Sequence, residues 1–351
     1  MTNKVEVGIL GATGMVGQQF IRFLQGHPWF EITWLGASGR SAGKRYSDAA
    51  KWNLSGDAPD RVRSMQVSES VAGNSAPKLL FSAMDASVAT EIERAFASAG
   101  HIIVSNSRNH RMEPDVPLLV PEVNASHLRI LPWQRQLRGW QGAIVTNPNC
   151  STVTLTMALG PLKQFGIRRV IATTMQAVSG AGYPGVPSMD ILGNVVPYIG
   201  NEEEKMEEET QKILGRATAE QIEPLDALVS AHCNRVAVID GHTVAVSVEF
   251  ESKPSQTEVI EALQSFRGEP QRRNLPSAPA APVHYLPEQD RPQPRRDADR
   301  ERGMACSVGR LRPCPVLQWK FVALAHNTIR GAAGAAVLNA ELMFVEGLLD
   351  E

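Results

Sequence analysis

The sequence predicts an α/β fold, with a doubly wound parallel sheet in its first half and a second domain after it. Three observations carry this. The chain has 351 residues, too many for one ordinary domain and comfortable for two. Short β-branched runs alternate with helix-compatible stretches, the order that builds a parallel sheet with crossover helices. Between the first such strand and the first helix lies a run of glycines, as in Rossmann-type nucleotide folds.

Composition narrows the class. At 43% apolar and 21% charged residues the chain reads as a globular protein with ample core. Its 35 basic and 37 acidic side chains nearly cancel, giving a formal charge of −2, so no electrostatic case exists for nucleic acid or an anionic membrane. No apolar run approaches the ~18 to 20 residues that span a bilayer. The opening MTNKVEVGILG enters a strand at once and lacks the parts of a signal peptide. Cys150, Cys233, Cys306 and Cys314 have neither CxxC spacing nor the density of a disulfide scaffold. A cytoplasmic protein with reduced thiols and no metal is the expectation.

In chain order, Val5–Leu10 reads as a buried strand. Gly8, Gly11, Gly14 and Gly17 follow at three-residue intervals, and residues 15–24 place Val16, Phe20, Phe23 and Leu24 at helical spacing, with Gly26 as a stop. Glycines at such a turn let the backbone approach a pyrophosphate, which the helix N-terminus favours electrostatically. A second strand at 31–36 ends in Ala37-Ser38-Gly39-Arg40-Ser41. An NAD site usually carries an acid there to grip the ribose hydroxyls. Two hydroxyls and a guanidinium suit a 2′-phosphate instead, which favours NADP.

Further strands are expected at 79–83, 102–105 and 143–146, with a helix near 88–99. The last strand runs into Thr146-Asn147-Pro148-Asn149-Cys150-Ser151-Thr152, and an apolar helix follows at 153–162, which Pro161 should kink or end. Cys150 thus falls at or just before a helix N-terminus, where unpaired N–H groups should lower its pKa and could stabilise an oxyanion. The other three cysteines read as small buried residues. The run Asn201-EEEKMEEE has the composition of a solvated helix face. Met175, Met189 and Met206 read as packing. Residues 267–303, rich in proline and arginine, carry eight arginines against six acids and one aromatic, Tyr285. That is too weak for a nucleic-acid patch and reads as a long ordered loop or subunit contact. Residues 316–325 are strand-like, and 331–349 read as a small-residue helix containing Ala332, Ala335, Ala336 and Ala340.

Taken together, several segments resemble the aspartate-semialdehyde dehydrogenase family, in its archaeal and fungal branch. They are GATGMVG at 11–17, ASGRSAGKRYSDA at 37–49, TNPNCST at 146–152 and MQAVSGAGYPGVPSMDILGNVVPYIGNEEEK at 175–205. NRVAVIDGHT at 234–243, DRPQPR at 290–295 and HNTIRGAAG at 326–334 continue the likeness. The resemblance implies a cofactor domain at 1–149, completed by 327–351, and an α+β catalytic and dimerisation domain at 150–326. It implies Cys150 as the nucleophile, His242 as general acid/base and Gln176 as the residue that orients the acyl intermediate. Arg235 would hold the substrate carboxylate and Glu202 its ammonium, with Lys205, Arg111 and Asn149 on inorganic phosphate. Gly11, Thr13, Gly14, Met15, Val16, Ser38, Arg40 and Ser41 would meet the nucleotide end of NADP, and Ser179, Gly180 and Asn327 the nicotinamide.

The activity so implied is NADP-dependent phosphorylating oxidation of L-aspartate 4-semialdehyde through a cysteine thioester, run physiologically as the reduction. It serves lysine, methionine and threonine biosynthesis, in a homodimer or homotetramer. One departure is Ala237, where related sequences often carry proline. The alternative is an acyl-CoA reductase such as a malonyl-CoA reductase, which would use the same thioester chemistry. Asn234 and Val238-Ile239-Asp240 favour the semialdehyde. A non-catalytic NADP-binding regulator would need neither Cys150 nor His242.

Overall fold

The computed structural model describes residues 4–73 and 75–349, so residues 1–3, 74, 350 and 351, which include the outer ends of the cofactor-domain ranges above, lie outside the described residues. The first sheet contains β1 (Val5–Leu10), β2 (Phe30–Ala37), β3 (Val67–Glu69), β4 (Leu79–Ser82), β5 (Ile102–Ser105) and β6 (Ala143–Thr146). All its pairings are parallel, in the order β3-β2-β1-β4-β5-β6. β4, β5 and β6 are buried at every position, as strands covered on both faces must be. The strand order reverses between β1 and β4, which opens a crevice at their C-terminal ends. Gly11 lies in that crevice with φ +74°, and a Cβ there would stand 2.6 Å from the Ala83 carbonyl oxygen. Only glycine fits a position that is both left-handed and that close to neighbouring backbone.

Helix α1 (Met15–Leu24) starts where the sequence places it and ends before Gly26, which has φ +71°. The crossover α2 (Ala86–Ser98) is capped by Asp85, whose side chain accepts from Ser87 N–H at 2.9 Å. Helix α3 (Cys150–Leu159) begins three residues earlier than its apolar pattern suggests. The Asn149 side chain caps it, accepting from Ser151 N–H at 2.9 Å and Thr152 N–H at 3.4 Å. Cys150 is therefore the first helical residue.

A mixed second sheet follows: β7 (Ile167–Gln176), β8 (Leu228–Arg235), β9 (His242–Phe250), β10 (Val283–Leu286), β11 (Cys306–Pro313) and β12 (Trp319–Ala325), in the order β8-β7-β9-β12-β11-β10. One face packs with α3 and with α4 (Glu202–Leu214) in a core containing Leu155, Met206, Ile213, Val244 and Phe321. The other face leaves Ile171, Met175 and Leu228 exposed. Met175 and Met189 are thus surface residues rather than packing, and only Met206 is buried.

Two other expectations are corrected here. Residues 267–303 are ordered, but they are not a loop throughout, because they contain the edge strand β10, which pairs in parallel with β11. Proline-rich flanks hide a four-residue strand from any periodicity test. The closing helix is also shorter than expected. A π-turn at Ile329–Ala333 leads into α5 (Gly334–Val345). Helix α5 packs Ala336, Val337, Leu338 and Met343 against Val7, Ile9 and Phe81 of the first core. His27 Nε2 meets Glu341 Oε1 at 2.7 Å, a fully buried tie between α5 and the end of α1.

Leu338→Ala should cost about 2–5 kcal/mol by emptying a site deep in the first core. Urea unfolding measures it, and a loss under ~1 kcal/mol would contradict this packing.

Candidate active site

Strand register brings three of the predicted side chains to one end of the second sheet. Gln176 closes β7 and pairs with Arg235 at the end of its parallel neighbour β8. His242 opens β9, whose antiparallel pairing with β7 starts at Thr243 opposite Met175. That end faces the N-terminus of α3. There Cys150 Sγ lies 3.1 Å from His242 Nε2. Ala177 N–H donates to His242 Nδ1 at 3.1 Å, so the ring proton of the neutral imidazole sits on Nε2 and faces the sulfur. Arg235 is buried and donates to the Ala177 carbonyl oxygen at 2.8 Å. The sequence predicts these four residues, and the fold assembles them.

The π-turn approaches Cys150 from the other side. A Cβ on Gly331 would stand 2.7 Å from Cys150 Cβ, so glycine alone allows this approach. The turn is anchored by Arg330, which pairs with Glu122 through both terminal nitrogens, all fully buried.

Electrostatics correct one expectation. Burial, with the Glu202 carboxylate adding to it, pushes the Cys150 thiol up to about 12 instead of down. Arg235, Arg111 and the helix N-terminal N–H of Ser151 pull the other way without overcoming this. Burial, with Arg235 and His326 beside it, pushes His242 down to about 3. The resting pair is thus a neutral thiol and a neutral imidazole.

Helix α4 contributes a polar stripe that its composition hides. Glu202, Glu209 and Lys212 are buried, not solvated. Glu202 Oε2 accepts from Asn149 Nδ2 at 2.7 Å and Gln176 Nε2 at 3.4 Å, and its Oε1 pairs with Lys205 at 3.0 Å. Arg111 donates to Glu209 at 2.9 Å and to the Asn106 carbonyl oxygen at 2.8 Å. Glu209 also accepts the Asn149 N–H at 2.6 Å. Sequence reasoning missed Glu209, although its seven-residue distance from Glu202 is two helical turns.

A cavity of ≈ 300 Å³ runs from α1 to the thiol, lined among others by Met15, Val16, Arg111, Asn149, Cys150, Ser179, Gly180 and Asn327. Gln19, which the sequence reading missed, lines it too and donates to Thr328 Oγ1 at 3.2 Å. Asn327 fixes the far wall, accepting from Gly241 N–H at 2.9 Å and donating to Ser179 Oγ at 2.8 Å. Lys205 does not line this cavity. It faces a neighbouring one that shares only Arg111 with the first. Gly11, Thr13 and Gly14 form the turn before α1, and no side chain caps that helix. The free N–H groups at this helix start, beside the cavity, fit a dinucleotide pyrophosphate. Ser38 and Arg40 are exposed and Ser41 partly so, in the turn after β2. Among the described residues no His, Cys, Asp or Glu group is arranged to hold a metal, and no helix is long and apolar enough to cross a membrane.

Comparison with known proteins adds a consistent picture. Residues 6–131 match the semialdehyde dehydrogenase NAD binding domain, and residues 159–330 the semialdehyde dehydrogenase dimerisation domain. The chain is 52% identical to the aspartate-semialdehyde dehydrogenase of Methanothermobacter thermautotrophicus, over 97% of this chain and 99% of that one. It is 48% identical to that of Schizosaccharomyces pombe, over 98% and 99%. Its fold matches the crystal structure of aspartate semialdehyde dehydrogenase with NADP from Candida albicans, with a TM-score of 0.91 and 42% identity over 99% of this chain and 100% of that one.

Glu202→Gln removes a negative charge that raises the thiol, so the pH at which iodoacetamide alkylates Cys150 should fall below that of the unmodified enzyme. An unchanged or higher midpoint would contradict this electrostatic account.

Proposed function

Because the chain belongs to the aspartate-semialdehyde dehydrogenase family, we propose that it catalyses the reversible, phosphorylating, NADP-dependent oxidation of L-aspartate 4-semialdehyde to 4-phospho-L-aspartate, through a thioester on Cys150. The observation that carries the reading is the 3.1 Å contact between Cys150 Sγ and His242 Nε2, at a helix N-terminus and at the end of the cavity from the glycine turn.

Each residue then has a task. The Cys150 thiol gives its proton to water, since His242 Nε2 already carries one, and the thiolate attacks the aldehyde carbon to give a thiohemiacetal alkoxide; that proton is the one the overall oxidation releases. The Nε2 proton of His242 follows the charge, shared first with sulfur and then with the alkoxide oxygen. NADP, when bound, supplies the acceptor for the hydride that leaves this carbon. Inorganic phosphate attacks the resulting thioester and expels the Cys150 thiolate, so the sulfur returns unchanged. Arg235 offers a planar fork to the substrate carboxylate, and Glu202 a charge partner to its ammonium. Gln176 orients the acyl group. Arg111 and Asn149 border the Cys150 cavity, where phosphate has to attack, while Lys205 acts from the neighbouring one. Ser179, Gly180 and Asn327 fit the nicotinamide end, and Gly11, Thr13, Gly14, Met15 and Val16 the pyrophosphate. The exposed turn with Ser38, Arg40 and Ser41 suits the 2′-phosphate.

A cofactor domain at 1–149 with 327–351 and a catalytic domain at 150–326 suits the two main cores, with Leu118 and Val120 packing into the second and Leu275 and Met304 into the first. The apolar outer face with Ile171, Met175 and Leu228 suits a homodimer contact. Four free cysteines suit the cytoplasm, where such an enzyme would feed lysine, methionine and threonine synthesis. Relatives with this enzyme name along nearly their whole length leave the acyl-CoA reductase reading without support.

The test is NADPH formation from L-aspartate 4-semialdehyde with and without phosphate. Cys150→Ala should lower turnover by at least about a thousandfold while NADP affinity stays near normal. Arg235→Lys should mainly raise the KM for the semialdehyde, because an ammonium cannot reproduce the fork. Turnover by Cys150→Ala, or turnover indifferent to phosphate, would refute the assignment.

A further inference from the structure

We propose that Glu209 is a positioning residue for the phosphate step, holding the Arg111 guanidinium ready for the anion while fixing the peptide that precedes the nucleophile. The proposal rests on the reading of Arg111 as a phosphate group above.

Glu209 is 2% exposed and lies on α4 two turns beyond Glu202. A carboxylate so buried persists only if its oxygens are paired. Here one accepts the Asn149 N–H at 2.6 Å and the other the Arg111 Nη1 at 2.9 Å. Each partner leads to the reacting centre. Asn149 directly precedes Cys150 and caps its helix. Arg111 borders both the Cys150 cavity and the neighbouring cavity with Lys205.

The geometry of Arg111 is over-determined in a way that packing alone does not require. Its Nη2 donates to the Asn106 carbonyl oxygen at 2.8 Å. Lys212, the next residue of the α4 stripe, donates to the carbonyl oxygens of Arg111, Glu113 and Val116 at 2.6, 2.7 and 2.8 Å. Helix α4 therefore grips the side chain of Arg111 through Glu209 and its backbone through Lys212. After these bonds, Arg111 Nε is buried and has no partner among the described residues. With two of its five N–H donors spent on Glu209 and Asn106, the guanidinium is held in one orientation and keeps donors for an anion. Glu209 sets that orientation, because its charge selects the rotamer that points Nη1 at α4.

Glu209→Gln separates the two bonds. The amide oxygen still accepts from Asn149 N–H, but the amide nitrogen meets Arg111 donor to donor, and the counter-charge is gone. Two rates are read on the whole enzyme with NADP and L-aspartate 4-semialdehyde. Steady-state NADPH formation against phosphate concentration reports the phosphate step. The single-turnover burst of NADPH without phosphate reports acylation of Cys150. In Glu209→Gln, kcat/KM for phosphate should fall about tenfold or more while the burst rate stays within about twofold. Glu209→Ala, which also frees the Asn149 peptide, should slow both. If Glu209→Gln does not fold, the same split is read on Arg111→Lys, which removes the Arg111–Glu209 bond and leaves Glu209 on the Asn149 N–H. A phosphate kcat/KM within about twofold of wild type, or a burst that falls in parallel with it, overturns the proposal. Wild-type turnover that ignores phosphate would instead remove the reading beneath it.

Discussion

Everything in this site depends on keeping charge in order around one half-buried sulfur. Cys150 lines the cavity as the first residue of a helix, half-buried, while the residues that follow it in the helix are buried. Burial there raises the thiol far more than a helix N-terminus lowers it. Reactivity must therefore come from neighbours that respond to substrate. The neighbours are in place: Arg235 and Arg111 pull toward the thiolate, Glu202 pushes against it, and His242 offers a proton at 3.1 Å. A positive group brought to Glu202 would relieve the push on the thiol. A resting thiol held neutral is also poorly reactive toward stray oxidants.

That arrangement explains several distant features of the fold. The π-turn at Ile329–Ala333 widens the helix where Gly331 meets Cys150. The fully buried Arg330–Glu122 pair holds the widened turn in register, and α5 carries the same chain segment back into the first core. Cofactor crevice and thiol are thereby linked by one continuous element. On the opposite wall, the α4 stripe of Glu202, Lys205, Glu209 and Lys212 alternates sign and ties Asn149, Arg111 and the loop beyond it to a single rigid helix.

What was legible in the sequence was what is local. β1, α1 and the glycine turn were readable because strand period, helix period and left-handed glycine follow from short-range geometry, and their bounds agree closely with the structure. Cys150 and His242 were readable through their motifs, and the chain brings them together. Long-range effects stayed hidden. The strand Val283–Leu286 exists because β11 offers it an edge, and four residues between prolines carry no period of their own. The acidic run after Asn201 looks solvated by composition, yet Glu202 and Glu209 are buried because Asn149, Arg111 and Lys205 come to meet them. The thiol shift, likewise, depends on what packs over the sulfur, which no residue near position 150 announces.

The central claim is that oxidation proceeds through a covalent acyl-enzyme at Cys150. The direct measurement is mass spectrometry of the intact and digested protein after reaction with NADP and L-aspartate 4-semialdehyde in the absence of phosphate. The account predicts one acyl adduct per chain, on the peptide containing Cys150, that phosphate discharges as 4-phospho-L-aspartate forms. NADPH produced in full single-turnover yield with Cys150 unmodified, or an adduct on another residue, would contradict it.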